Sequence, residues 1–346
     1  MSPTISMAYV RALFDTIAFP ARAGREALAR AGIAPVLFDH PAARVTERQF
    51  ATLYRYLAGE LDDEMLGLYG RPMRPGSLKF TCLSLLGASS LKVALHRWSL
   101  FLRLLQDDFI LQVHADSETC QVALTSLPGR PPRSPLADDL MLKLVHGVSS
   151  WLVGRALPLE RVDFAFERPP FAAEYQTLYP GPVRFGQPLS ALVLARSCLE
   201  LPVRRSLREV PEFVRQAPEG WMFPAFAVER LALRVREHLS RHLLEGHTAA
   251  ETAQALNVSL RTLHRRLAEE GTSFQQIKDE LRRDLAIERL TRTAQPIAGI
   301  GADLGFDNAA SFHRAFRSWT GQTPGAYRLA LSPGRQEHAA MRQDKP

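Results

Sequence analysis

Leu263-His264-Arg265-Arg266-Leu267 and Phe312-His313-Arg314-Ala315-Phe316 repeat one pattern, apolar-His-Arg-x-apolar, about fifty residues apart. On a helix this spacing sets cationic donors on one side and apolar anchors on the other. Arginine donates bidentately to guanine N7 and O6, and a small residue approaches a thymine methyl closely, so the chemistry on offer is the reading of base edges. The other chemistry-bearing residues offer less. His238 and His242 stand at i, i+4, a spacing that seats a metal, but no HExxH accompanies them and they read as a helix-surface pair. Cys82, Cys120 and Cys198 lie far apart without CxxC spacing, which argues against a disulfide framework or zinc cluster. Gly299-Ile-Gly-Ala-Asp-Leu-Gly305 is spaced GxGxxxG with no strand before it, unlike a dinucleotide loop. Residues 1–200 hold no nucleophile–base or paired-carboxylate constellation, so no catalytic residue, metal or cofactor is expected.

Each His-Arg pattern needs a scaffold, and the flanking residues supply one twice. Ala253 and Gly301 are small residues facing the core of a short helix; Asn257 and Gly305 suit a turn with φ > 0; Val258 and Phe306 plug the corner. Ser259 in one copy, and Asp307 or Asn308 in the other, cap the second helix. This is a helix-turn-helix present in duplicate. Leu260, Leu263 and Leu267, and Phe312, Phe316 and Trp319, are the expected anchors. The opposite faces present Arg261, His264 and Arg265, then Ala310, His313 and Arg314, as base readers. Ser259, Arg266, Ser311 and Arg317 are expected on phosphate. From Ser273, a helix with Phe274, Ile277, Leu281, Leu285 and Leu290 along it runs to about Arg292, with Asp284 assigned to its polar side. Such a helix is roughly 30 Å long, close to the roughly 34 Å between successive major grooves on one face of DNA.

The arrangement over residues 229–330 resembles the AraC/XylS family of transcription regulators. The likeness is carried by Gly305-Phe306, Phe312-x-Arg314-x-Phe316-Arg317 and Gly321-Gln-Thr-Pro324-Gly-Ala-Tyr327-Arg328; Gly301 departs from it, since the family more often has Ala there. The N-terminal part, through Arg71-Pro-Met-Arg-Pro-Gly-Ser77 and Leu78–Leu105, is similar to the arabinose-binding-like sensing domain of one subgroup, whose members answer to different effectors. The resemblance implies a sequence-specific regulator, most often an activator, with double-stranded DNA, RNA polymerase and a small-molecule effector as partners. It also implies a homodimer. Arg71, Arg74, Lys79 and Arg97 are the basic residues that would receive an anionic effector.

The rest of the chain fits. Its 346 residues exceed what one core serves, and its net charge of +7 suits a polyanion. Residues 229–330 hold fifteen basic against twelve acidic side chains, so placement rather than bulk charge must make a DNA surface. The longest run without charge, Phe80–Leu91, is too short to span a bilayer, and no secretory signal is visible, so a cytoplasmic protein without membrane partners is expected. Helical spacing before residue 75 and at 93–105 and 136–154, a hairpin at 109–114 and 121–125, and strand patterns at 162–167, 183–185 and 192–194 predict an α+β domain over 1–200. A linker at 201–227, an all-α domain at 228–330 and a flexible tail at 331–346 complete the expectation. The fragment from about Val228 to Ala330 is expected to fold and bind DNA alone. An enzyme on residues 1–200 fused to a DNA-binding tail, and a non-specific architectural DNA binder, are the alternatives.

Overall fold

The computed structural model describes residues 4–17, 19–130, 132–223, 231–242, 247–269 and 272–330. The tail at 331–346 and residues 224–227 of the expected linker lie outside them. The chain divides into two units: Ala12–Phe19 with Ala51–Val228, and Met1–Arg11 with Pro20–Phe50 and Glu229–Pro346. These units do not follow the bounds expected for a domain of residues 1–200, since most of the first fifty residues group with the C-terminal half.

Strand β1 (Thr4–Ser6) runs into α1 (Met7–Thr16); α2 (Ala21–Arg30) follows, and β2 (Arg44–Thr46) runs into α3 (Glu47–Leu61). β1 and β2 pair antiparallel with Ile5 opposite Val45, a two-stranded ribbon of β-branched and polar residues buried on both faces. Two strands are marginal alone. This ribbon is held by the C-terminal half of its own unit, through Thr4 and Arg44.

The other unit continues with α4 (Ser77–Leu85), α5 (Leu91–Leu105), β3 (Phe109–Ala115), β4 (Thr119–Ser126), α6 (Pro135–Val153), β5 (Arg161–Asp163), α7 (Tyr175–Leu178), β6 (Val183–Arg184), β7 (Ser190–Ala195), α8 (Val210–Arg215) and α9 (Glu219–Met222). Its five strands lie in the order β3-β4-β7-β5-β6, antiparallel except for β5 with β6. The hairpin and the long helix stand where periodicity put them. The alternation at 162–167 yields only the strand Arg161–Asp163; beyond it Phe164 and Phe166 still exchange backbone hydrogen bonds with residues 184–187, and their rings join a cluster with Tyr175 and Phe185.

Helix α6 is the core of this unit. Pro135 stands at its first turn, the Ser134 hydroxyl accepts from the Ala137 amide, and Gly154 at φ 74° ends it. Every residue from Leu136 to Val153 is buried. Gly147 is required where it stands, since a Cβ there would lie 2.1 Å from the Trp221 carbonyl oxygen; its absence lets α9 press on α6. His146 Nε2 lies 2.8 Å from the Leu157 carbonyl oxygen, and burial pushes its imidazole down to about 4. The unfolded chain takes up that proton near 6.5, the folded chain only near 4, so the stability is whole above pH 6.5 and is lost as pH falls toward 4. At ~1.4 kcal/mol per pH unit the loss is roughly 3 kcal/mol. Thermal unfolding across this window is expected to show it, and His146→Gln is expected to flatten the slope. An unchanged slope would assign the acid sensitivity to other groups.

The C-terminal half holds α10 (Leu231–Arg241), α11 (Ala249–Ala255), α12 (Leu260–Glu269), α13 (Phe274–Arg292), α14 (Ile297–Asp303), α15 (Ala309–Thr320) and α16 (Pro324–Ala330). No described helix of the chain is long and apolar enough to cross a membrane. The expected fold class, α+β followed by an all-α domain with two helix-turn-helix motifs on a connecting helix, is the one observed.

Candidate nucleic-acid interface

The first copy begins at Thr248, whose hydroxyl accepts from the Glu251 amide while the Glu251 carboxylate takes the Thr248 N–H. These bonds hold the Glu251 carboxyl below its ordinary range. Asn257, at φ 55°, turns the chain, and the Ser259 hydroxyl accepts from the Thr262 amide at 3.1 Å to open α12. The second copy opens without a side-chain cap, at Pro296, and repeats the turn and the cap of its second helix. Gly305, at φ 73°, makes the turn, and of the two candidate caps it is Asn308 that accepts the Ser311 amide, at 2.9 Å. Leu263, Leu267, Phe312 and Phe316 are fully buried, as anchors must be. Leu260 differs: in the first turn of α12, it remains 42% exposed. Phe306 fills its corner between Phe312 and Trp319, with the Arg282 guanidinium 4.8 Å from its ring centre. A Cβ on Gly301 would lie 3.1 Å from Phe312, which gives a packing reason for the smallest residue here, where the first copy has Ala253.

The outward faces carry the expected cations. Arg261, His264, Arg265 and Arg266 are exposed on α12, as are Ala310, Arg314 and Arg317 on α15. His313 is half-buried, edge-on to Phe312. Arg314 Nη2 donates to Ser311 Oγ at 3.1 Å, and the Ser259 hydroxyl is engaged with both the amide and the hydroxyl of Thr262. Ser259 thus acts first as a helix cap.

Helix α13 carries both copies. Its Ser273 cap accepts the Gln276 amide, and its nineteen residues span about 28 Å at 1.5 Å each. Lys278 Nζ donates to the His247 carbonyl, before α11. Arg282 donates to the Gly305 carbonyl at 2.9 Å, and Arg289 pairs with Asp303 at 2.7 Å, fixing the second copy. Asp284, expected on the polar side, is buried. Its carboxylate accepts from Thr4 Oγ1 and Arg236 Nη2, each at 2.5 Å, and from Arg283 at 3.2 Å. Arg44 donates in turn to Thr4 Oγ1 at 2.7 Å and to the Thr4 carbonyl at 2.6 Å, while the Tyr327 hydroxyl of α16 donates to the Arg44 carbonyl. This network draws β1 and β2 into the helical unit. The sequence did carry one signal for it: Asp284 falls three residues after Leu281 and seven after Ile277, on the apolar stripe.

His238 and His242 gain a third ring, His247, which sequence spacing did not select. The ring centres lie 4.7 to 4.9 Å apart, and His238 Nε2 is 2.8 Å from His247 Nδ1. Among the described residues no group of three His, Cys, Asp or Glu is disposed to hold a metal ion.

The four basic residues assigned to an effector lie on the surface. Arg74 pairs with Asp62, Arg71 stands 3.9 Å from Asp107, Arg97 donates to the Leu86 carbonyl, and Lys79 is exposed. None lines the cavity of about 280 Å³ found in the same unit, although Met73 and Pro75 of the Arg71–Ser77 segment do.

The family described as arabinose-binding domain of AraC transcription regulator, N-terminal, matches residues 22–203, and a helix-turn-helix domain family matches residues 252–330. The ornithine utilization regulator of Pseudomonas aeruginosa is 28% identical over 94% of this chain and 96% of its own. The transcriptional regulator VqsM of the same organism is 43% identical over 22% of this chain and 24% of its own. Among solved structures, that of the transcriptional regulator CdpR from Pseudomonas aeruginosa is 22% identical and covers 93% of this chain and 98% of its own, with a TM-score of 0.30.

Proposed function

The chain belongs to the AraC family of transcription regulators, and on that premise we propose that it is a sequence-specific activator that reads two successive major grooves with α12 and α15. The observation that carries this reading is the duplication on one helix. Two copies present the same turn, cap and buried anchors, each with outward arginines, and both are fastened to α13. In this reading Arg261, His264, Arg265, Ala310, His313 and Arg314 face base edges, and Arg266, Arg317 and Ser311 face phosphate. The arabinose-binding-type domain senses a small-molecule effector, the chain acts as a homodimer, and the bound dimer engages RNA polymerase. Such regulation needs no catalytic step, and none is proposed.

Arg265→Ala and Arg314→Ala are each expected to weaken operator binding by about 1–3 kcal/mol and to relax preference at one base position. The check is a titration of each variant against operator and scrambled DNA. Equal losses on both would put these arginines on phosphate and remove them from base reading.

A further inference from the structure

The cavity of about 280 Å³ lies wholly within the unit that contains α6, with its lining drawn from α3, α4, α6, α8, α9 and the loops beside them. Met65, Met73, Leu78, Leu144 and Trp221 make its walls largely apolar. One group is out of place in such a receptacle. Glu64 is among the lining residues, and its carboxylate is held in place, Oε1 accepting from the Gly76 amide and Oε2 from the Leu78 amide, each at 2.6 Å. The two bonds orient the carboxylate and leave each oxygen a further acceptor position. Burial, helped by the neighbouring Asp63 charge, raises its carboxyl above the ordinary value against the lowering effect of the two amides. Asp63 is itself occupied with the amides of Met65, Gly67 and Met73. The cations at the rim are matched already: Arg55 pairs with Glu219 at 2.6 Å and Arg215 with Glu212. A carboxylate taken partly out of water, held by two amides but in no ion pair among the described residues, is a costly feature that an opposite charge would offset.

We propose that this cavity binds a small organic amine, one ammonium group on an apolar body, with the ammonium donating to Glu64 and the body lying against Met65, Met73, Leu78, Leu144 and Trp221. A neutral apolar molecule would leave the Glu64 carboxylate desolvated with only the two amides to compensate its charge, and a carboxylic acid would face it with like charge. The volume, near the lower end of the roughly 300–1,000 Å³ usual for ligand pockets, suits a single ring or a short chain. The assignment names the chemical class of the effector, and so rests on the reading of this domain as the sensing half.

Three probes of one shape and different charge test it on the full chain near neutral pH: phenethylamine, phenethyl alcohol and hydrocinnamate, titrated by calorimetry and by tryptophan fluorescence. The amine is expected to bind about tenfold or more tighter than the alcohol, and the acid weakest of the three. Equal binding of amine and alcohol, preference for the acid, or binding of none overturns the proposal. Glu64→Gln is expected to bring the amine down to the level of the alcohol. Because Glu64 also holds the start of α4, Ala58→Phe provides an independent variant, filling the cavity from α3 without touching the Glu64 hydrogen bonds. It is expected to abolish amine binding, and unchanged binding places the amine elsewhere and refutes the site. Selection of DNA by the same preparation separates the two failures. An enriched operator without amine binding removes this assignment and leaves the regulator reading standing. Amine binding without an operator sustains the site while the regulator reading falls.

Discussion

Inserting one alanine between Ile287 and Glu288 is expected to abolish simultaneous recognition of two major grooves and to lower operator affinity by about a hundredfold or more, toward salt-sensitive non-specific binding. The reason is the geometry of α13. One added residue rotates everything beyond it by about 100° and advances it only about 1.5 Å. Partners of the first copy, Lys278 and Asp284, stay in place, while Arg289, which pairs with Asp303, turns away. The outward face of α15 then leaves its groove. An insertion at Asp284 itself, the residue assigned from sequence to the polar side, would instead break a buried network and confuse rotation with unfolding. Footprinting is the measurement; an insertion variant that protects both grooves at wild-type affinity would show that α13 does not set the phase.

The second large effect is expected at Asp284. Replacement by alanine removes the acceptor shared by Arg236, Arg283 and Thr4, leaving Arg236 with Glu280 at 3.9 Å, and breaking a buried pair of this kind costs about 3–5 kcal/mol. Asp284→Asn, which keeps an acceptor of nearly the same shape, is expected to lose less. Denaturant unfolding of both variants gives the comparison, and a loss under about 1 kcal/mol for the alanine would mean the hub contributes little. The same network bears on the fragment from about Val228 to Ala330. Without Thr4 and Arg44 it keeps Arg236 and Arg283 on Asp284 but loses the Thr4 hydroxyl and the acceptor of the Tyr327 hydroxyl, so it is expected to be less stable than its sequence suggests.

What was legible in the sequence was local. Asn257 and Gly305 announce turns because few other residues adopt positive φ cheaply, and Ser259, Asn308 and Ser273 announce helix starts because their side chains satisfy amides one turn on. The anchors follow from 3.6-residue periodicity, except Leu260, where the first turn of a helix escapes burial. Long-range partners were not legible. Asp284 bonds to Thr4 across 280 residues, and nothing in either neighbourhood announces the other. The strand expected at 162–167 is regular only to Asp163; past it the backbone bonds to residues 184–187 continue while the rings of Phe164 and Phe166 pack with Tyr175 and Phe185, partners that alternation does not name. The cavity was not legible either: exposed arginines announce charge, whereas a cavity is assembled from residues of several elements.

The central claim is that two recognition helices on one rod read one DNA sequence. It is tested most directly by incubating the full chain with random-sequence duplex DNA at moderate salt and sequencing the fragments retained. The account predicts an enriched motif with two conserved blocks whose centres lie about 10 base pairs apart, one helical turn. It also predicts that Arg265→Ala and Arg314→Ala each erase preference within a different block. Retention of DNA without any enriched motif would contradict it, leaving a basic surface that holds phosphate and reads nothing.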